Sequence, residues 1–436
     1  MIFRRAKILI YLFIGLFICY FTSDFALINI EKTALIVSIG VDKAAEKYSV
    51  TVQIAVPEAT DGGSSNNESV ITSDGKTLYE AVTNIGERTG WYPKLSFCNL
   101  IVMGESVLSE NVMTVLDFFL RSYKVEDSSI ICACEGNAKD LLLSHSPLDN
   151  ISGMSLSKIF VRDSSGASKV LTNSLKDFSI GYFSRSGFSF MPKVKLVKTS
   201  GGEKVGKGGL EIENGGSGAI GTAFIKNDGD KNPESAIAAA SAGEKKESKS
   251  ESSDGGSGGG ENTPVIYDAS TAVAFDKGIY KGEITADEAL CYSLTKKHSA
   301  EAYFGINSVS SEGKTGEVLI GIHKVKNEVS FRYVNDLPVL KIKLRLRLQI
   351  TDADYSESIG TISKIGTLSG KMLKDCEKYF EFHLNSLMQK AKDCGFDVFE
   401  LKTMLYRYAN ARYNSDKFTV TQNTSLETEI VCLNYI

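Results

Sequence analysis

The feature that most constrains this chain is an apolar run near its N-terminus. Residues 8–20 carry no charged side chain, and three basic residues stand within the four positions before them. A helical membrane span needs roughly 17–25 mostly apolar residues, which this run approaches if the apolar residues 25–27 extend it. Basic residues before a span keep the N-terminus inside and send the rest of the chain out. We therefore predict a membrane anchor over residues 1–29, carried by Ile8, Leu12, Leu16 and Tyr20.

Two other interpretations of this segment fit the sequence less well than an uncut anchor does. A cleaved signal peptide ends in a small-x-small site, but bulky Tyr20 and Phe21 occupy the corresponding positions. A lipoprotein would carry its lipid on Cys19, yet the bulky Ile18 beside that cysteine argues against processing. A cysteine within a membrane helix is the favoured interpretation, and the type of anchor stays open.

Composition limits the classes of protein to which the chain can belong. With 436 residues, 42% hydrophobic and 23% charged, it is expected to be globular with two or three domains. The net charge is −4 and no strongly basic region follows the anchor, so we expect no nucleic-acid partner. The eight cysteines are scattered and predict no disulfide framework.

The hydrophobic pattern after the anchor predicts a mixed α/β domain over residues 30–198. Apolar runs and strict alternation indicate strands, and apolar residues at helical spacing indicate helices. The resulting order is β-β-α-β-α-β, as strands 34–41 and 48–56, helix 77–88, strand 95–103, helix 112–121 and strand 128–134.

Residues 199–263 have a very different composition. They are rich in Gly, Ser, Lys and Glu, most of all in the run GEKKESKSESSDGGSGGGEN, and contain almost no side chains to bury. Such a segment is predicted to be flexible. Short apolar runs at 219–225 and 271–275 resemble strands. We therefore expect a surface insertion, with one short strand inside it, rather than a domain boundary.

The last part, residues 264–436, is predicted to be an α+β domain. Leu340–Ile350 alternates apolar and basic residues, as a half-buried strand does. A long helix with an apolar stripe follows, and Gly395 is its expected end. Asp397 is a candidate cap for a shorter helix that runs to Tyr408. The whole ectodomain is thus expected to combine α/β and α+β parts in three subdomains with mixed sheets.

The basic side of the 340–350 strand has two possible uses. Its four cations could contact anionic lipid headgroups or an acidic partner. They could equally form a solvated face that discourages pairing between sheet edges, which is the favoured interpretation. The cations are Lys341, Lys343, Arg345 and Arg347.

No pattern in the sequence indicates catalysis or a cofactor. The four histidines, His145, His298, His323 and His383, do not occur in HExxH or beside cysteines at zinc spacing. G-x-S-x-G, P-loop and G-x-G-x-x-G motifs are absent. We predict a protein that is not an enzyme and binds no cofactor or metal.

Several blocks of the sequence, in this order, resemble the Ger(x)C family, the C subunit of spore germinant receptors. The stretch IEKTALIVSIGVDKAAEKYSVTVQIAVPEAT is similar to the opening of that family, and GKTLYEAVTNIGERTG, LSFCNLIVMGES and LDFFLRSYKVED to its next blocks. TAVAFDKGIYKGEITADEAL and FDVFELKTML resemble later ones. The positions that carry the family motifs are Gly40, Asp42, Gly104, Glu105, Arg121, Phe275, Gly282 and Glu288.

The resemblance implies a non-catalytic subunit on the outer face of the spore inner membrane. It would assemble with two multi-spanning subunits, one of which is thought to recognise the nutrient germinant; whether this chain contacts the germinant is left open. The alternative is an anchored extracytoplasmic protein that binds a small ligand or the cell wall, which would need an aromatic-lined pocket. Trp91 is the only tryptophan, which weighs mildly against glycan binding.

Overall fold

The structure is a computed structural model, and it describes residues 10–17, 33–55, 68–121, 125–146, 151–163, 169–198, 265–296, 302–309, 315–353 and 367–435. Residues 10–17 form helix α1, on which Leu12 and Leu16 are exposed. Ile8, Cys19 and Tyr20 lie outside the described residues. No helix of the described ranges is both long and apolar enough to cross a membrane. The anchor at 1–29 therefore stays a prediction.

Nine of the described strands form one large mixed sheet. Its order is β3-β2-β1-β5-β6-β7-β8-β9, with β4 paired to the start of β1. The strands are β1 (Thr33–Ala44), β2 (Lys47–Ala55), β3 (Glu68–Gly75), β4 (Tyr92–Lys94), β5 (Leu100–Met103), β6 (Ile130–Cys134), β7 (Phe188–Lys198), β8 (Val265–Asp276) and β9 (Ile279–Ile284). The parallel strands β1, β5 and β6 form its centre. Every residue of β5 is buried, as expected for a parallel strand covered on both faces.

Helices cover both faces of this sheet. One face packs against α2 and α4, and the other against α5 and α6, so two separate apolar cores lie on opposite sides of the same strands. The helices in this part are α2 (Leu78–Thr89), α3 (Glu105–Leu108), α4 (Met113–Arg121), α5 (Ala138–Leu143), α6 (Ser152–Asp163) and α7 (Leu175–Phe183). This arrangement confirms the predicted mixed α/β architecture.

A second sheet contains four of the described strands, in the order β10-β11-β12-β13. It is built from β10 (Ala302–Val309), β11 (Thr315–Val334), β12 (Leu337–Ala353) and β13 (Ser425–Asn434), with α8 (Ala286–Lys296), α9 (Gly370–Cys394), α10 (Leu401–Tyr408), α11 (Asn410–Asp416) and α12 (Val420–Asn423). Leu340 to Leu348 alternate into its core, as predicted. Gly395 ends α9 in the left-handed conformation, also as predicted.

Aromatic side chains link the two sheets. Phe188, at the start of β7, stacks on Phe396, which follows α9, with ring centroids 5.9 Å apart. Arg185 lies over the ring of Tyr406 on α10, with its guanidinium carbon 3.6 Å from the centroid. Since β8 and β9 belong to the large sheet, the sequence after residue 264 contributes to both sheets. The domain limits 30–198 and 264–436 remain predictions.

The segment 199–264 joins two strands that are direct neighbours. Lys198, the last residue of β7, pairs with Val265, the first residue of β8. The segment lies outside the described residues, and its composition predicts a flexible insertion. Replacing residues 199–264 by a four-residue Gly/Asn turn should therefore leave the fold intact.

Because the cost of closing a loop grows by about 0.6 kcal/mol for each doubling of its length, this shortening should stabilise the protein by about 2 kcal/mol. The measurement is the urea midpoint of unfolding, followed by circular dichroism of the protein in mild detergent. A variant in which residues 199–264 keep their length but are shuffled is the control, and its midpoint should not change. A shortened variant that fails to fold would show that the segment contributes specific structure.

Candidate functional site

The described part of the chain offers no obvious reaction centre. No three His, Cys, Asp or Glu side chains of the described residues are placed to hold a metal ion. Two surface grooves, of 660 and 840 Å³, lie along α9 and at the loop before β6. His323 stacks on Tyr435, and His383 packs edge-on against Tyr379. Among the family-motif positions, the charged groups that the fold buries are two carboxylates, those of Asp42 and Glu288.

Four of the eight family-motif positions come together at the carboxyl ends of β1 and β5. Gly40 and Asp42 lie on β1, while Gly104 and Glu105 follow β5 and begin α3. The Gly104 N–H donates to the Val41 carbonyl at 2.9 Å. Glu105 exchanges two hydrogen bonds with Gly136, one from its N–H to the Gly136 carbonyl and one from the Gly136 N–H to its carboxylate. Parallel pairing of β1 with β5 and of β5 with β6 creates this junction.

Asp42 is the centre of this junction. Its two carboxylate oxygens accept hydrogen bonds from the Ala138 and Lys139 N–H groups, at 2.8 and 3.0 Å. These are the first two residues of α5, whose N-terminal N–H groups have no partner inside the helix. Burial raises the pKa of Asp42, and the two N–H donors offset this only in part. Asp42 thus caps a helix 96 residues away in sequence.

The glycines at this junction leave room for these contacts. A Cβ atom on Gly104 would overlap the Asp42 Oδ1 atom and lie 3.0 Å from its Cγ. A Cβ on Gly40 would lie 3.0 Å from both Ala138 Cβ and Leu142 Cδ1 on α5. Neither glycine has a positive φ, so close approach, and not backbone conformation, explains the residue type at both positions.

The second buried carboxylate is Glu288 on α8. Its side chain accepts hydrogen bonds from Lys390 Nζ at 2.6 Å and Ser386 Oγ at 2.8 Å, both on α9, and from the Thr285 N–H at 2.9 Å. Burial by itself would raise the pKa of Glu288, but the Lys390 ammonium and the other donors hold it below its ordinary value. Lys390 also donates to the Glu283 carbonyl at the end of β9. This cluster fastens α8, α9 and the last strand of the large sheet together.

One local sequence motif marks the start of this cluster. Thr285 and Glu288 form a capping box, T-x-x-E, in which each residue binds the backbone N–H of the other. The box predicts the start of α8 correctly. It cannot identify Lys390 and Ser386, which lie about a hundred residues later.

The remaining three family-motif positions lie elsewhere. Phe275 on β8 is fully buried and packs edge-on against Phe178 and Tyr280. Gly282 on β9 faces α9, where an added Cβ would make an ordinary 3.5 Å contact with Cys394 Sγ. Arg121 is exposed at the end of α4 and pairs with Asp117 one turn earlier.

The basic face of β12 is half neutralised. Lys341 and Lys343 form ion pairs with acidic residues on the neighbouring strands, Glu427, Glu429 and Glu328. Arg345 and Arg347 have Lys326 and Lys324 across β11, and apolar Val431 and Leu433 across β13. The half of this face around Lys341 and Lys343 therefore carries mixed charge, and the half around Arg345 and Arg347 is basic. These residues form no enclosed anion site.

Taken together, the two buried carboxylates act as clamps within the fold. Their oxygen atoms bond to backbone N–H groups, a lysine and a serine, and so they are engaged with neighbouring elements. A buried Asp397 does the same for α10, accepting from the Leu401 and Lys402 N–H groups as predicted. Burial raises the pKa of Asp397 to about 6. The hydrogen bonds and ion pair of these buried carboxylates hold α5, α8 and α10 in position.

Comparison with protein families gives two matches along the chain. Residues 28–196 match the spore germination protein N-terminal domain, and residues 270–430 match the C-terminal domain described as spore germination B3/GerAC like. The two matches follow the chain order and leave out the whole of the insertion after β7.

Two individual proteins are similar to this chain. Spore germination protein B3 of Bacillus subtilis (strain 168) is 26% identical over 205 residues, which are 46% of this chain and 53% of that protein. The match thus spans about half the length of the curated relative. The crystal structure of the GerBC protein is similar with a TM-score of 0.47 at 16% identity, over 92% of this chain and 97% of that one.

Proposed function

This chain belongs to the Ger(x)C family of spore germination proteins, and from that membership we propose that it is a non-catalytic subunit of a spore germinant receptor. In this role it supports nutrient-triggered germination by assembling with two multi-spanning membrane subunits. The observation that carries the proposal is the pair of family matches, which cover both the large-sheet region and the second-sheet region in the family's order.

The geometry of the family-motif positions supports a part in assembly more than a part in chemistry. Asp42 and Glu288 are buried and satisfied by groups of the protein itself. A general acid, a general base or a nucleophile needs an atom within reach of a substrate. These carboxylates instead hold α5, α8 and α9 rigidly, as suits a scaffold that presents fixed surfaces to its partners.

The proposed location is the outer face of the spore inner membrane, with the apolar run at residues 8–20 as the anchor. The basic residues before that run support an N-terminus on the inner side. The prediction is that the full chain sediments with spore inner membranes and resists extraction by alkaline carbonate. A Leu12→Arg/Leu16→Arg variant should be lost from that fraction, because each arginine opposes insertion by roughly 2.5–3.5 kcal/mol.

Release of dipicolinic acid from spores tests the proposed function. A strain that has this gene and the genes of two multi-spanning receptor subunits, but no other germinant receptors, should release dipicolinic acid when given the matching nutrient. Deletion of this gene should abolish release, and the wild-type chain should restore it. An affinity-tagged chain should also co-purify with two multi-spanning proteins from detergent extracts. Normal release after deletion would contradict the proposal and favour an anchored ligand- or wall-binding protein.

A further inference from the structure

Three exposed aromatic residues lie at the end of the large sheet where the central strand β1 begins. Trp91, Tyr92 and Phe97 are 49%, 56% and 50% exposed, and lie within seven consecutive residues around β4. Lys94, also exposed, lies over the ring of Phe97 at 5.8 Å. Single exposed rings are common on protein surfaces, but a cluster of large ones calls for a partner. We name Trp91, Tyr92, Lys94 and Phe97 the aromatic edge.

The aromatic edge lies where the chain enters the ectodomain. Tyr92 pairs with Thr33, the first residue of β1, in the parallel register that joins β4 to β1. Neighbouring strands are about 4.8 Å apart, so the backbone of β4 runs beside the entry point. Other exposed rings lie elsewhere: Tyr79 on α2 and Phe183 on α7 in the large-sheet region, and Phe382 and Phe418 in the second-sheet region. Its place at the start of β1 distinguishes the aromatic edge from them.

The distance from the proposed anchor to this point is short. The predicted anchor ends at residue 29, so three residues, 30–32, separate it from Thr33. Fully extended, they reach at most about 11 Å. Among the described residues, those beside Thr33 are consequently the ones that the tether keeps nearest to the membrane. Residues at the other end of β1 are about 36 Å further along the strand.

The chemistry of the aromatic edge fits the interfacial layer of a membrane. Tryptophan and tyrosine are enriched there because an apolar ring and a polar N–H or O–H match a boundary between hydrocarbon and water. Lysine extends its ammonium toward the headgroups from the same depth. Glu126 and Asp127, in the loop before β6, lie at the N-terminal end of the parallel strands. Because these acidic side chains would repel anionic headgroups, contact of the aromatic edge with the membrane is favoured by its rings and not by attraction between charges.

We propose that the aromatic edge rests in the lipid headgroup layer and fixes the ectodomain upright on the membrane, beside its own anchor. This inference relies on the anchored location proposed above. Trp91 and Phe97 would insert their rings, and Tyr92 and Lys94 would keep their polar ends in the headgroups. The surface partner is thus the lipid bilayer, with little dependence on the charge of its lipids.

Trp91 provides a direct test because it is the only tryptophan of the chain. The full-length protein is reconstituted into phosphatidylcholine vesicles, with or without bromine atoms near the headgroup end of the acyl chains. Flotation first establishes that the chain is anchored. Brominated lipid should then remove most of the Trp91 fluorescence, since bromine quenches only at short range. Adding anionic lipid or salt should not change this loss.

A single-tryptophan control comes from the opposite end of β1. Tyr48 pairs with Lys43 there, and a Trp91→Phe/Tyr48→Trp variant moves the only indole to that end. In floated vesicles its fluorescence should be unaffected by brominated lipid. A Tyr92→Ser/Phe97→Ser variant, which changes only exposed rings, should reduce the quenching of Trp91.

The outcomes separate this inference from the proposed function. A chain that does not float would contradict the proposed anchor. A chain that floats with Trp91 unquenched would overturn the lipid contact and leave the aromatic edge as a surface for a protein partner. Equal quenching at both indole positions, or quenching that high salt abolishes, would also overturn it.

Discussion

The Lys390→Met variant is expected to be strongly destabilised, by about 3 kcal/mol near neutral pH. Breaking a buried ion pair by removing one partner typically costs about 3–5 kcal/mol, because the other charge stays buried without compensation. Glu288 is 3% exposed and Lys390 is 28% exposed, so water can compensate in part and the lower end applies. The measurement is the urea midpoint and slope of unfolding, in mild detergent, for variant and wild type.

The pH dependence of this loss has a definite sign. In the wild type, the folded-state pKa of Glu288 is below its ordinary value. Glu288 therefore contributes stability that is present above the unfolded pKa, about 4.3, and is lost as the pH falls through the folded one. In Lys390→Met, burial acts on the carboxylate without its main counter-charge, and the folded pKa rises. The difference between variant and wild type should thus be largest at neutral pH and shrink toward about pH 4.

Two further variants make this result specific. Glu288→Gln/Lys390→Met removes both charges, and it should be less destabilised than Lys390→Met alone, since no buried charge is left unpaired. Arg121→Met is the matched control on the surface. Arg121 is also a family-motif position with an acidic partner, but that pair is exposed and should contribute little. If the loss in the double variant equalled the sum of the losses in Glu288→Gln and Lys390→Met, Glu288 and Lys390 would not act as a pair.

The sequence predicts elements well where one periodicity dominates. The strict alternation of β12 and the apolar stripe of α9 each identify the element and its buried face, and Gly395 marks the end of α9. β3 was missed because its sequence, ESVITSDG, is largely polar and forms a strand through its pairing with β2. Local pattern cannot show this, since the stabilising partner lies elsewhere in the chain.

Long-range pairing is the other part that the sequence does not reveal. β8 and β9 follow the insertion, yet they extend the large sheet through β7. β13 lies parallel to β12, with the 71 residues 354–424 between the two strands. The roles of Asp42 and Glu288 depend on partners about a hundred residues away. Family resemblance identified both positions, and only the structure shows what each one holds.

Substitution of Gly104 by alanine should disrupt the Asp42 junction, with a loss of about 2–3 kcal/mol. The added methyl group overlaps the Asp42 Oδ1 atom, so the carboxylate must leave the N–H groups of Ala138 and Lys139. Asp42→Ala should cost about 2 kcal/mol, because it leaves the same two N–H groups without their acceptor. Unfolding in urea measures both losses. Gly282→Ala is the control, since its methyl group would make only an ordinary contact with Cys394.

The double variant Asp42→Ala/Gly104→Ala separates a steric clash from a general intolerance of alanine. With the carboxylate removed, the methyl group at position 104 no longer meets Oδ1, and most of the cost of Gly104→Ala should disappear. The two substitutions are therefore expected to be coupled by about 2 kcal/mol, which is within the range for residues in contact. Strict additivity would mean that Gly104 is required for the turn into α3 and not for the cap on α5. Coupling would assign both family-motif residues to one task, which is to hold α5 against the carboxyl ends of the central strands.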